Sequence, residues 1–180
     1  VFAEECVDQY KFSREAMDDY ATKGLMKAKA AIESGAFKAE ITPVTVVTRK
    51  GTEVVDTDEQ PLKADPAKIP TLRPAFARDG GITAANSSSI SDGAAALVMT
   101  RQSVAKALGL PVAGKVVGHA AHAHEPGLFT TAPVPAMRKA LKKAGWEVAD
   151  VDLFEVNEAF AVVAMIAERD LGIDRARLNV

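Results

Sequence analysis

Glu155-Val156-Asn157-Glu158-Ala159-Phe160-Ala161 is the stretch on which the reading of this chain turns. An apolar strand, predicted over Asp152 to Val156, gives way here to an apolar helix predicted over Glu158 to Leu171. Asn157 sits at the junction. A polar group held between two rigid elements can be aimed at a ligand. Asn is equally a common helix cap, and spacing alone favours the cap. A second stretch, Asp79 to Leu97, reads DGGITAANSSSISDGAAAL. Its part from Gly80 to Gly93 is small and polar. Asn86, Ser87, Ser88 and Ser89 offer amide and hydroxyl groups without bulk. They make either a serine-rich turn or a wall for a narrow, amide-bearing ligand arm.

Working outward, Ser13 to Gly35 predicts a helix. Ser13 caps it, Glu15, Asp18 and Asp19 suit its positive end, and Gly35 closes it. Met17, Tyr20, Ala21, Leu25, Ala28 and Ile32 form its apolar face. Thr42 to Thr48 is β-branched and predicts a strand. Lys50-Gly51 turns it into Glu53 to Val55 as a hairpin. Four prolines, Pro61, Pro66, Pro70 and Pro74, make Asp56 to Pro74 a long loop or linker. Beyond it, Asp92 can cap a short Ala-rich helix, with a strand over Ala96 to Met99. Gln102 to Leu108 predicts a helix stopped by Gly109, and Lys115 to Ala121 a strand. Pro133 to Ala144 is an amphipathic helix with Pro at its start and Gly145 at its end. Strand and helix alternate in the second half, which implies an α/β layer arrangement.

Composition excludes several classes. The chain has 180 residues, 48% hydrophobic and 26% charged, as a globular protein does. A formal net charge of -2 argues against nucleic acid as a partner. No apolar run approaches the roughly 20 residues that span a bilayer. The single cysteine, Cys6, allows no internal disulfide and suits a reducing compartment. In Glu5-Cys6-Val7 it reads as a buried thiol. His119, His122 and His124 cluster in sequence, but cysteine or carboxylate support at metal-ligand spacing is thin, so no metal is expected.

The Asn-Glu-Ala-Phe segment and the DGGITAANSSSISDGAAAL segment together resemble two signature segments of the thiolase family. The resemblance covers essentially the whole chain. It implies part of a layered αβαβα fold: residues 1–89 from the loop domain that covers CoA, 90–111 the end of the N-terminal domain, and 112–180 the start of the C-terminal domain. It also implies acyl transfer between CoA thioesters, with two acetyl-CoA giving acetoacetyl-CoA and CoA, or the reverse. Short-chain acetoacetyl-CoA thiolases are the most similar in appearance. A broad-range 3-ketoacyl-CoA thiolase and a non-catalytic CoA-binding module are the alternatives.

Residue roles follow from the resemblance alone. The asparagine matching Asn157 fixes a water that stabilises the enolate or thioester oxyanion, while Glu158 is a supporting acid. The serine matching Ser88 hydrogen-bonds the pantetheine arm. Phe76 matches an aromatic of the CoA pocket, and Ala159 and Phe160 lie near it. Lys63 is a candidate for the CoA phosphates, although Leu62 fits the same place. The family nucleophile sits in Cys-x-Ser-Gly and its catalytic histidine in Gly-His-Pro, and neither string occurs in this sequence. An internal piece of a thiolase, inactive by itself, is therefore expected. Coenzyme A counts as substrate, so no cofactor is expected. The expected partners are acyl-CoA substrates, with no nucleic acid and no membrane, and a homodimer or homotetramer for the full-length protein. The expected location is the cytoplasm, or mitochondria or peroxisomes in a eukaryote.

Overall fold

The computed structural model describes residues 2–180. Its centre is a helix, α6 (Ala161–Leu171), whose Ala161, Val162, Val163, Ala164, Ile166 and Ala167 are all buried. A helix apolar on nearly every side must be surrounded. Around it pack α1 (Phe2–Tyr10), α2 (Arg14–Ser34) and α5 (Pro133–Ala144). Cys6, Met17, Tyr20, Ile82, Val134 and Leu178 complete the core.

The two helices with full capping signals form where the sequence places them. Ser13 Oγ accepts from the Ala16 N–H at 3.1 Å to start α2. Gly35 ends it at φ 69°, and Gly145 ends α5 at φ 72°, in the left-handed region where a Cβ is disfavoured. The hairpin also forms, β1 (Val44–Thr48) against β2 (Gly51–Val55), antiparallel with Thr48 opposite Gly51. It is the only sheet among the described residues, and both its faces are exposed.

Other expectations are corrected. Asp56 to Pro74 is not a plain loop but holds α3 (Glu59–Lys63) and a 3-10 helix (Pro66–Thr71). Asp58 and Asp65 cap them by accepting from the N–H groups of Gln60 and Ala67. Pro61 and Pro66 lie in first turns, where no intrahelical N–H bond is required, so they start helices instead of breaking them. Helix α1 was not foreseen. The Ala-rich helix after Asp92 and the strands over Ala96 to Met99 and Lys115 to Ala121 do not form; only α4 (Gln102–Ala107) is regular in this region. A strand needs a neighbour to take its backbone groups, and a short helix needs a surface to bury its face. Neither is supplied by the described residues: Ile90, Leu97 and Val98 are 105%, 89% and 96% exposed. No helix among the described residues is long and apolar enough to cross a membrane.

Candidate functional site

Around Asn157 the backbone is extended. Phe154 and Val156 are buried while Glu155 and Asn157 are exposed, the period-2 signature of a strand. Its partner is not a full strand but the segment Arg177–Asn179. The Phe154 N–H donates to Arg177 O at 2.7 Å, and the Asn179 N–H to Phe154 O at 2.9 Å. The Asn179 side chain then stands in for a further peptide. Its Oδ1 accepts from the Val156 N–H at 2.7 Å and its Nδ2 donates to Val156 O at 2.8 Å. Asn179 itself adopts φ 47°, a left-handed conformation that Asn tolerates better than most residues. The expected strand Asp152 to Val156 is thus reduced to one parallel bridge, Phe154 with Leu178.

Glu158 is held on the other side of Asn157. Its Oε1 accepts from the Tyr20 hydroxyl at 2.9 Å and from Asn179 Nδ2 at 2.5 Å. Burial, reinforced by the Glu158 carboxylate, pushes the Tyr20 phenol well above its usual value, so it stays protonated and donates. Asn157 is therefore an exposed side chain between two held neighbours, Val156 by its backbone and Glu158 by its carboxylate, and none of the described side-chain hydrogen bonds uses it. It does not cap α6, which begins four residues later with Phe160 at the cap position.

The serine segment docks directly beside it. The Ser88 N–H donates to Ala159 O at 3.0 Å, the Ala161 N–H donates to Asn86 O at 2.9 Å, and Ser87 bridges Phe160. These bonds explain why α6 starts at Ala161 and not at Glu158: Ala159 and Ala161 are already paired with the serine segment. Asn86 is 2% exposed, and its side-chain amide is spent on protein partners. Its Oδ1 accepts from the Thr83 N–H at 2.8 Å, and its Nδ2 donates to Gly81 O at 3.0 Å and Asp18 Oδ1 at 3.3 Å. Ser87 Oγ is turned back onto Thr83 O, and Ser89 Oγ pairs with Ser91.

A cleft of about 510 Å³ opens between α2, the 3-10 helix and this segment. Ser88 is on its wall, with Glu158 and Ala161 at one side and Gln60, Asp65 and Lys68 at another. Of the other residues singled out, Phe76 and Phe160 do not line the cleft; their rings meet edge to face at 6.3 Å, and Phe160 lies 6.4 Å from Phe129. Lys63 is not on the cleft wall: it pairs with Glu59 on the exposed face of α3. Lys68, on the following 3-10 helix, is the lysine that lines the cleft. Sequence reasoning passed over Lys68 because the prolines around it masked the 3-10 helix that brings it to the cleft rim, where its ammonium stays exposed, 3.8 Å from Asp65 Oδ2.

Cys6 is fully buried and bonded to the Thr130 hydroxyl. His122 and His124 lie in a segment without regular structure, Nε2 to Nδ1 3.3 Å. They fasten that segment to its surroundings: His122 Nδ1 is 2.9 Å from Lys139 Nζ, and His124 Nε2 bonds Leu128 O at 2.6 Å. Among the described residues no group of three or more His, Cys, Asp or Glu is placed to hold a metal.

The loop before the serine segment rests on Glu4. Its two oxygens accept from the N–H groups of Gly81 and Ile82 at 3.0 and 3.1 Å. A Cβ at Gly80 would stand 2.2 Å from Glu4 Oε1. The carboxylate could move only by giving up those two bonds. Gly80→Ala should therefore destabilise the protein by about 1–3 kcal/mol, the range for leaving such donors unpaired. Thermal denaturation would check this, and an unchanged Tm would show that Glu4 does not hold the loop.

The family model described as "Thiolase, N-terminal domain" matches residues 1–103, and "Thiolase, C-terminal domain" matches 110–180. The chain belongs to the thiolase family. It is 44% identical over its whole length to an acetyl-CoA acetyltransferase of Pseudomonas aeruginosa, covering 46% of that protein. Acetyl-CoA acetyltransferase 1 of Arabidopsis thaliana is 48% identical over 99% of the chain, which covers 44% of it. Among solved structures, the Bacillus anthracis acetyl-CoA acetyltransferase superposes with a TM-score of 0.94 at 38% identity, over 99% of this chain and 45% of that one. Human mitochondrial 3-ketoacyl-CoA thiolase superposes at 0.87 with 34% identity and the same coverage. The fold is therefore part of the α/β thiolase fold, and the chain spans a little under half the length of these relatives.

Proposed function

We propose that this chain supplies the CoA-arm cleft and an oxyanion-stabilising amide to an acyltransferase. The reaction joins two acetyl-CoA into acetoacetyl-CoA and CoA, or runs the reverse thiolysis. The observation that carries this reading is Asn157: an unengaged amide between two held neighbours, next to the serine segment. A donor that need not reorganise is what a developing oxyanion requires. Its role is to hold a water against the thioester oxygen as charge gathers there. Ser88 receives the pantetheine amides, and Lys68, more than Lys63, meets the phosphates. Phe76, Ala159 and Phe160 form the apolar flank of the arm. Coenzyme A is consumed and released as substrate, and no separate cofactor enters the scheme.

The short-chain reading is favoured over a broad-range thiolase by the two solved structures: the acetyl-CoA acetyltransferase superposes at a TM-score of 0.94 with 38% identity, the 3-ketoacyl-CoA thiolase at 0.87 with 34%. The full-length protein, as a homodimer or homotetramer, should thiolyse acetoacetyl-CoA with turnover on the order of 10 per second. Binding of CoA without turnover would support a non-catalytic module instead.

Ser88→Ala should raise KM for acetoacetyl-CoA several-fold with a smaller change in kcat, because one neutral hydrogen bond contributes about 1 kcal/mol. Ser87→Ala and Ser89→Ala serve as comparisons, since those hydroxyls are occupied within the loop. Equal small effects at all three positions would remove the specific role of Ser88.

A further inference from the structure

Asp18 is a carboxylate only 6% exposed, on a helix, and no step of the acyl transfer uses it. Its two oxygens bond to groups that lead to different sides of the cleft. Oδ2 accepts from Arg14 Nε at 2.6 Å, and the same guanidinium donates through its Nη2 to Leu72 O at 2.9 Å and Ile69 O at 3.3 Å. Oδ1 accepts from Asn86 Nδ2 at 3.3 Å. Asn86 in turn holds Thr83 N–H and Gly81 O, and so the start of the serine segment. Ile69 and Leu72 belong to one lip of the cleft, and Asn86 to Ser88 to the other.

A buried ion pair adds little stability over well-packed apolar side chains, so stability alone does not account for one here. What this one does supply is a fixed distance. One planar carboxylate lies between a planar guanidinium and a planar amide, and the three join the end of the 3-10 helix to the serine segment, whose flanking stretches share one backbone bond, Ala75 N–H to Ile82 O at 2.8 Å, and no ladder. We propose that Arg14, Asp18 and Asn86 form a positioning strut that sets the separation of the cleft lips, and through it the affinity for the CoA arm. These are positioning residues: they act on the ligand only through the two lips. The inference rests on the reading of the cleft as the CoA-arm site.

The test uses two thioesters in the full-length protein. Acetoacetyl-CoA carries the whole arm, whereas acetoacetyl-N-acetylcysteamine keeps the reacting group and lacks most of the arm. Arg14→Lys retains the charge and the tie to Asp18, but a single ammonium cannot also span the Ile69 and Leu72 carbonyls. It should raise KM for acetoacetyl-CoA about fivefold or more, the equivalent of at least one lost hydrogen bond, with kcat nearly unchanged and KM for the truncated thioester unmoved. Asn86→Asp sets a second carboxylate against Asp18 and should give a larger change of the same selectivity. Should that variant fail to fold, Arg14→Lys decides alone. Equal changes for both thioesters, or none, would overturn the strut while leaving acyl transfer standing. Absence of turnover of either thioester by the unsubstituted protein would overturn the acyl-transfer reading and the strut with it.

Discussion

Asn157→Ala in the full-length protein should lower kcat about a hundredfold and leave KM for acetoacetyl-CoA within a few-fold. Removal of one oxyanion donor commonly costs about 3 kcal/mol in the barrier. The loss falls on kcat because the amide meets charge that exists only in the transition state. The structure also gives the control. Asn157 is exposed and does not cap α6, so its truncation removes no buried contact and no capping bond. Stability should then change by no more than about 0.5 kcal/mol, as for other surface positions. Steady-state kinetics beside thermal denaturation separates the two readings. A lower Tm with kcat intact would make Asn157 a structural residue.

The elements legible in the sequence are those whose signals are local. Helix α2 has its cap at Ser13 and its stop at Gly35, and α5 has Pro133 and Gly145. Each of these acts within a turn of its own position, and each element forms with those bounds. The hairpin is likewise a local unit, closed by its own turn. The strands over Ala96 to Met99 and Lys115 to Ala121 depend on a partner elsewhere, and composition cannot report whether one is present. Asp58 and Asp65 were ordinary capping signals, hidden by the prolines that follow them.

The site divides in the same way. Ser88 beside Ala159 is a contact between residues far apart in sequence, and only the resemblance to a family brought the two segments together. Asn86 read as part of a polar wall because its type says nothing of its direction. The fold turns it inward to Asp18, where its amide satisfies three partners. Asp18 itself read as a helix-dipole residue of α2. Both misreadings have one cause: Asn and Asp serve caps, ligands and buried networks with the same chemical groups, and the choice is made by tertiary packing.

Ile166→Ala should destabilise the protein by about 2–5 kcal/mol, the range for emptying a buried aliphatic position. Ile166 and Val162 are both fully buried and lie one turn apart on α6, facing the same layer of the core. The surrounding helices are tied to α6 by polar bonds as well. Tyr10 donates to Asp170 Oδ2 at 2.9 Å, and Arg169 donates to Tyr10 O at 2.9 Å. Such ties limit how far the neighbours can collapse into the space left by the lost side chain, so the change should fall toward the upper part of the range. Each kcal/mol corresponds to about 2–4 °C in Tm for a domain of 150–250 residues. Val47→Ala is the matched control. Val47 is as hydrophobic as many core residues, but it lies on the hairpin, 79% exposed. Its truncation should stay within about 0.5 kcal/mol unless that face is covered in the full-length protein. Thermal denaturation of both variants decides the point. If Ile166→Ala leaves Tm where the parent has it, α6 is not the central helix of the core.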